Sequence, residues 1–377
     1  MTAQLPASGL QLFSTVTDGF RLELSLAPVP VPAPVDDQVL IRVEATPINP
    51  SDLGLLIGVA DTSQFSLKDG VASAPIPERL QRMALARQGK PMPVGNEGAG
   101  VVIAAGPAEA AQALVGKTVC LAGGQMYAQY KLARVRDCIV LPDGVAAWEG
   151  ASSFVNPLTT LGMIGTMRKE GYEGLVHTAA ASNLGQMLVK LCQAESVPLV
   201  NIVRSAEQAA ILKGIGAKHV VDSTSADFVA ELTAAIKETK AFLAFDAIGG
   251  GRLASQILQA MEAAAIALTP GFSIYGSTQK KQVYIYGMLD AGPTELTRSY
   301  GMAWGVGGWL LTPYLMAAGP EEAGRMRKYV VDNIRTIFAS HYTATISLHD
   351  VLKPEHIARY SKRATGEKFL INPSLSG

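Results

Sequence analysis

Cysteine is scarce in this chain of 377 residues: there are three, Cys120, Cys138 and Cys192, and no two form a C-x-x-C pair. That spacing excludes a zinc lobe built from paired thiolates and a disulfide framework. A surplus of either charge is missing as well, with 32 basic and 32 acidic residues. No global field therefore favours nucleic acid, an anionic membrane or a strongly charged substrate. No stretch reaches the ~18 uncharged apolar residues that a membrane span needs. Residues 301–318 come closest, but glycines, Thr312 and Pro313 interrupt them. The first residues show no basic stretch leading into an apolar one, so no secretory signal is read there. These absences together predict a cytoplasmic protein. Tyrosine is also absent before residue 127, a gap that bears on the chemistry below.

What is present is enough apolar residue, 48 %, against 17 % charged, to bury large cores. The length favours two domains over one. Residues 10–16, 20–26 and 39–45 alternate as antiparallel strands do, with the proline-rich 28–34 as an extended linker. Residues 60–92 are polar and irregular, and read as an inserted loop over a cleft with one helix near 78–86. Glycine-punctuated strands follow at 98–105, 117–121, 127–132 and 138–141. From residue 156 the pattern changes. Strands are expected at 175–178, 199–203, 219–222, 243–246 and 265–268, and helices at 185–195, 206–215, 228–239 and 251–261. Such alternation predicts a doubly wound parallel α/β sheet covered on both faces. Further strands are expected at 271–276 and 283–286. The tail is helical from Pro320 and returns to strand near 368–371. We expect a first domain over 1–155, a second over 156–315, and a return to the first over 316–377.

The most informative stretch runs from Leu175 through His177, Ala181, Ser182, Asn183, Leu184 and Gly185, and meets a second apolar run at 199–203. An apolar strand, a run of small residues, a helix and a second strand make a nucleotide-binding β-α-β unit. Backbone N–H groups from Ala181 to Gly185 are the candidates for cradling a pyrophosphate. Asn183 stands where a glycine is expected, and asparagine tolerates positive φ. Arg204, with Ser205 beside it, ends the second strand where an NAD enzyme carries an acid. A guanidinium there suits a 2′-phosphate, hence NADPH. A ligand-free crossover with a solvated arginine is the structural alternative.

Asn49-Pro50-Ser51-Asp52, Gly95-Asn96-Glu97-Gly98-Ala99-Gly100, Asn156-Pro157-Leu158 and Asp246-Ala247-Ile248-Gly249-Gly250 occur in that order along the chain. They resemble motifs of the medium-chain dehydrogenase/reductase superfamily, and most closely its zinc-free branch of NADPH quinone reductases and 2-enoyl thioester reductases. The resemblance implies a Rossmann domain joined to a mainly β, GroES-like catalytic domain, and a homodimer. Asn49, Asn96 and Asn156 match positions that hold the catalytic zinc in the zinc-binding members. A neutral carboxamide is a poor zinc ligand, so no metal is expected. The asparagines either hold a nicotinamide or substrate amide or carbonyl, or simply shape turns. By the same resemblance Tyr275 flanks the cofactor and Lys368 lies near its phosphates; a packed tyrosine and a solvated lysine are the alternatives. The enoyl reductases carry a tyrosine proton donor shortly after the first motif, and here none is present. Tyr127 is the candidate substitute. Trp304, Trp309, Tyr314 and Met316 form either a pocket wall or a dimer interface. The expectation is hydride transfer from NADPH to a quinone or small conjugated enone. A 2-enoyl thioester reductase and a non-catalytic NADPH-binding sensor or interaction protein are the alternatives.

Overall fold

The computed structural model describes residues 5–269, 271 and 273–375. The chain divides into two units, one made of Met1–Val155 with Tyr329–Gly377 and the other of Asn156–Lys328. The return to the first unit thus falls at Tyr329 rather than at 316.

The first unit is built on two sheets. β1 (Ser8–Val16), β2 (Arg21–Pro30) and β3 (Gln38–Pro47) lead to a short helix α1 (Pro50–Leu56). β4 (Ser66–Lys68), β5 (Val71–Pro75), α2 (Glu78–Ala84) and β6 (Met92–Pro93) follow. Next come β7 (Glu97–Ala105), α3 (Glu109–Gln112), β8 (Thr118–Ala122), β9 (Tyr130–Arg134), β10 (Ile139–Val140) and α4 (Ala147–Gly150). The first sheet runs β4-β5-β2-β1-β6. Residues 60–92 are therefore not a loop laid over a cleft. Val71–Pro75 pairs antiparallel with Arg21–Leu24 and buries Ala72 and Ala74. The alternation was hidden because small alanines fill the inward positions. The proline-rich segment also enters the sheet: Pro28 and Pro30 lie opposite Leu10 and Ser8, beyond the reach of β5, where no second ladder needs an N–H.

The second unit begins with the helix α5 (Val155–Lys169), whose first residue closes the first unit. β11 (Leu175–His177), α6 (Asn183–Ala194), β12 (Leu199–Val203), α7 (Ala206–Gly214), β13 (His219–Asp222), α8 (Phe228–Thr239) and β14 (Leu243–Asp246) alternate as expected. β15 (Gly249–Gly251), α9 (Leu253–Leu268), β16 (Lys281–Ile285), β17 (Asp290–Thr294), β18 (Trp304–Gly308) and α10 (Leu311–Asp332), which is broken at Gly319 and whose residues from Tyr329 belong to the first unit, complete it. The six-stranded sheet has the order β13-β12-β11-β14-β16-β18, and every pair in it is parallel. Residues 265–268 are not a strand. They are the last turn of α9, because the alanine-rich 260–265 carries the helix on. Of the strand expected at 271–276, Phe272 lies outside the described residues and the others form turns and bends. β19 (Ala344–Ile346), α11 (Pro354–Tyr360) and β20 (Phe369–Ile371) return to the first unit, where β20 pairs with β3 in the sheet β10-β8-β7-β3-β20-β19.

Candidate functional site

In the first unit the asparagine motifs meet in a buried polar network. Asn49 caps α1, and its N–H donates to Asp52 Oδ2 at 2.8 Å. The other oxygen of Asp52 accepts from the Asn96 N–H at 2.8 Å. Asn49 Nδ2 donates to Glu97 Oε1 at 2.7 Å, and Lys368 Nζ donates to Asn49 Oδ1 at 3.3 Å. Both ends of that carboxamide are therefore engaged, one N–H with Glu97 and the oxygen with Lys368. Asn96 differs: its Nδ2 donates to Ser51 Oγ at 3.0 Å, and its Oδ1 has no partner among the described residues. Glu97 Oε2 accepts from the N–H groups of Phe154 and Val155 at 2.8 and 2.9 Å.

Three ionisable groups thus share a desolvated interior. Burial raises the Glu97 carboxyl above its ordinary range, opposed chiefly by Lys368. Burial pushes Lys368 down to about 8, with Glu97 and Asp52 pulling it back up. Burial pushes Asp52 up to about 7 against the backbone N–H of Asn49. Asp52 then holds its proton more tightly folded than unfolded, so between pH 4 and 7 the folded state binds more protons. Stability is expected to fall across that window by on the order of 2–4 kcal/mol from this group. Lys368 has the opposite sign, losing its proton sooner when folded, so stability rises again above about pH 8. Urea midpoints between pH 4 and 10 measure this, and Asp52→Asn should flatten the acid-side slope.

Two of the candidate residues are buried. Lys368 is buried, not solvated, with its ammonium 5.8 Å from the Tyr342 ring centre. Tyr127 is not on an open cleft loop. It is wholly buried, and its hydroxyl donates to the Pro47 carbonyl at 3.1 Å. Burial holds its phenol far above the ordinary range, and its one O–H is already given to that carbonyl.

In the second unit the chain leaves β11 through a turn at Ala179, where φ is +49°. The positive φ falls there and not at Asn183, which is the first residue of α6. Ser182 caps α6, taking the N–H of Gly185 at 3.1 Å. Gly185 is obligatory: a Cβ would lie 2.1 Å from the Ala180 carbonyl oxygen. Ala181 is buried, while Leu184 is half-buried at the first turn. Arg204 is exposed after β12, its N–H donating to Gln208 Oε1 at 3.0 Å, and Ser205 caps α7. Asn156 is buried on the first turn of α5.

Tyr275 is 69 % exposed on a turn, so it is not a packed core residue. The tyrosine-glycine pair that ends a strand of the parallel sheet is Tyr286–Gly287, directly after β16. Two such pairs lie eleven positions apart, and the apolar run at 283–286 was the signal that favoured the second. The aromatic group also divides. Trp309 and Tyr314 cover Gly162 and Gly165 of α5, and Trp309 Nε1 donates to Thr166 Oγ1 at 3.0 Å. Trp304 stands edge-on to Tyr300, and Met316 is exposed. They do not form one wall.

The strand order turns back between β11 and β14, since the chain adds β12 and β13 on one side and β16 and β18 on the other. Ligands of open α/β sheets bind outside the carboxyl ends of the strands at such a point. There Thr178 Oγ1 donates to Asp246 Oδ1 at 2.7 Å, and Tyr286 Oη lies 2.7 Å from His177 Nε2. Sequence reasoning had assigned no role to Asp52, Glu97, His177 or Tyr286. Among the described residues, no group of three or more His, Cys, Asp or Glu could hold a metal, and no helix is long and apolar enough to cross a membrane.

Residues 35–167 match the alcohol dehydrogenase GroES-like domain. Prostaglandin reductase-3 of Bos taurus is 27 % identical over 198 residues, which cover 51 % of this chain and 45 % of that protein. The chain spans about half the length of the curated relatives it matches. A structure from Mesorhizobium loti assigned as an NADPH:quinone reductase is 28 % identical, with a TM-score of 0.72, over 98 % of this chain and 100 % of that one. The quinone oxidoreductase of Escherichia coli, complexed with NADPH, is 18 % identical with a TM-score of 0.68, over 97 % and 100 %. At that identity the likeness is one of fold.

Proposed function

We propose, from the premise that the chain belongs to the medium-chain dehydrogenase/reductase superfamily, that it reduces a quinone or small conjugated enone with hydride from NADPH, without zinc. The observation that carries this reading is the turn from β11 into α6. Its glycine contact brings backbone and a helix N-terminus together at the carboxyl ends of parallel strands, where a pyrophosphate is well held. Ala181 to Gly185 fit the pyrophosphate, Arg204 and Ser205 the 2′-phosphate. NADPH bound there supplies the hydride, and the protein binds it, orients it and excludes water. The relatives named as quinone and prostaglandin reductases support a conjugated acceptor.

Asn49 and Asn96 do not fit a catalytic zinc. A carboxamide is a weak ligand beside thiolate or imidazole, and the oxygen of Asn49 already accepts from Lys368. An acceptor that needs no Lewis acid, one already electrophilic, follows from that donor set. The three cysteines are free, which fits a reducing, cytoplasmic setting. Among the described residues β18 ends the sheet, and an edge strand suits a homodimer.

The test is NADPH oxidation with benzoquinones, naphthoquinones, short enones and a crotonyl thioester. Turnover with a quinone or enone is the expected result. Turnover with the thioester alone makes it an enoyl thioester reductase. Tight NADPH binding with no acceptor makes it a sensor, and no NADPH binding ends the reading. Arg204→Ala is expected to raise the NADPH dissociation constant about 30-fold, the ~2 kcal/mol of a charged hydrogen bond, and to leave that of NADH nearly unchanged. Isothermal titration with both nucleotides decides it; equal losses would remove the 2′-phosphate assignment.

A further inference from the structure

The reaction proposed above leaves negative charge on the acceptor's carbonyl oxygen, and Tyr127 is too deeply packed to meet it. Another phenol stands at the carboxyl end of the parallel sheet. Tyr286 follows β16, and its hydroxyl reaches past β14 to His177, the last residue of β11. It therefore spans the switch point itself. Its ring lies nearly parallel to His177, at 25°, and edge-on to Phe245.

The direction of the hydrogen bond between them follows from the other ring nitrogen. His177 is wholly buried, and its Nδ1 has no hydrogen-bond partner. Burial pushes the imidazole down to about 3, so it is neutral and carries one N–H. On Nδ1 that hydrogen would be an orphaned buried donor, which native structures avoid more strictly than an unpaired acceptor. The hydrogen therefore belongs on Nε2, where it is donated to Tyr286 Oη. The tyrosine oxygen then accepts from His177, and its own O–H is left to point elsewhere.

We propose that Tyr286 is a catalytic residue whose hydroxyl, accepting from His177 Nε2–H, donates its hydrogen to the carbonyl oxygen of the quinone or enone. This rests on the reading of the chain as a reductase. As hydride forms a C–H bond on the acceptor, the conjugated π pair moves onto the carbonyl oxygen, which Tyr286 O–H stabilises. A proton from water completes the product, and no bond of Tyr286 breaks. Burial, with Asp246 nearby, holds the phenol far above its ordinary range, which keeps it a donor throughout.

Two measurements test this. In protein labelled with ¹⁵N-histidine, two-bond ¹H–¹⁵N spectra are expected to show His177 as the neutral Nε2–H tautomer, unchanged across neutral pH. Tyr286→Phe keeps the ring and removes the donor. It is expected to lower kcat about 100-fold, as losing one oxyanion donor does, with the NADPH dissociation constant unchanged. An Nδ1–H tautomer, or a phenylalanine variant as fast as the parent, overturns the inference and leaves the NADPH reading in place. A parent protein that neither binds nor oxidises NADPH overturns both.

Discussion

Replacing Glu97 by leucine is expected to destabilise the protein by about 4 kcal/mol, the range found when one partner of a buried charged network is removed. The side chain is 1 % exposed and accepts from Asn49 Nδ2, Phe154 N–H and Val155 N–H. Leucine fills a similar volume but leaves all three donors unsatisfied. It also leaves the Lys368 ammonium with one buried carboxylate fewer, so the lysine's pKa should fall below about 8. Glu97→Gln keeps an acceptor oxygen for some of these donors and should cost about half as much. Adding Lys368→Met to the leucine variant removes the stranded charge. The double variant should then be more stable than the sum of the single losses by about 2 kcal/mol. Urea denaturation of the four proteins gives the coupling directly. A Glu97→Leu protein within 1 kcal/mol of the parent, well short of the several kcal/mol expected of a stranded buried charge, would show the network to be dispensable.

The fold was legible where the signal was local. The alternation from residue 175 to 246 was read correctly because β11, β12 and β14 are buried along their whole length and α6 and α7 begin at the serine caps Ser182 and Ser205. The GroES-like unit was legible through its motifs rather than its strands. Its errors came from partners distant in sequence. Nothing near Val71–Pro75 announces that β2 will pair with it, and Ala72 and Ala74 give no hydrophobic peak. The short apolar run at 265–268 could be strand or helix, and only the alanines before it, continuous with α9, decide for helix.

The site divides on the same line. Asn49, Asn96 and Glu97 were visible as motif positions, but the partners of each are matters of geometry. That Lys368 Nζ reaches Asn49 Oδ1 across 319 positions of sequence could not be read from either residue. Tyr275 and Tyr286 each precede a glycine, and the choice between them required knowing which strand joins the sheet. In the sequence His177 is only one member of an apolar run. Its role depends on an unpaired Nδ1, which exists only once β11 is buried.

Gly185→Ala should have an effect out of proportion to its single methyl group. The added Cβ would lie 2.1 Å from the Ala180 oxygen and 2.6 Å from its carbonyl carbon, and both are backbone atoms that cannot rotate away. Either α6 withdraws from β11 or the Ala179 turn opens. Overpacking of this kind costs about 3 kcal/mol. Either relaxation also moves the Ser182 cap and the first turn of α6 away from the strand ends, so NADPH affinity should fall about 100-fold, or ~2.7 kcal/mol. Gly324→Ala, in α10, is the control. A Cβ there meets nothing within 4 Å, and the residue has no positive φ. That change should stabilise the helix by about 0.5–1 kcal/mol and leave nucleotide binding alone. Denaturation midpoints and NADPH titration on both variants separate the two effects. A Gly185→Ala protein that keeps its parent's affinity would mean that the turn after β11 does not hold the pyrophosphate. The strand-to-helix contact would then be a packing feature, and the reductase reading would lose the observation it stands on.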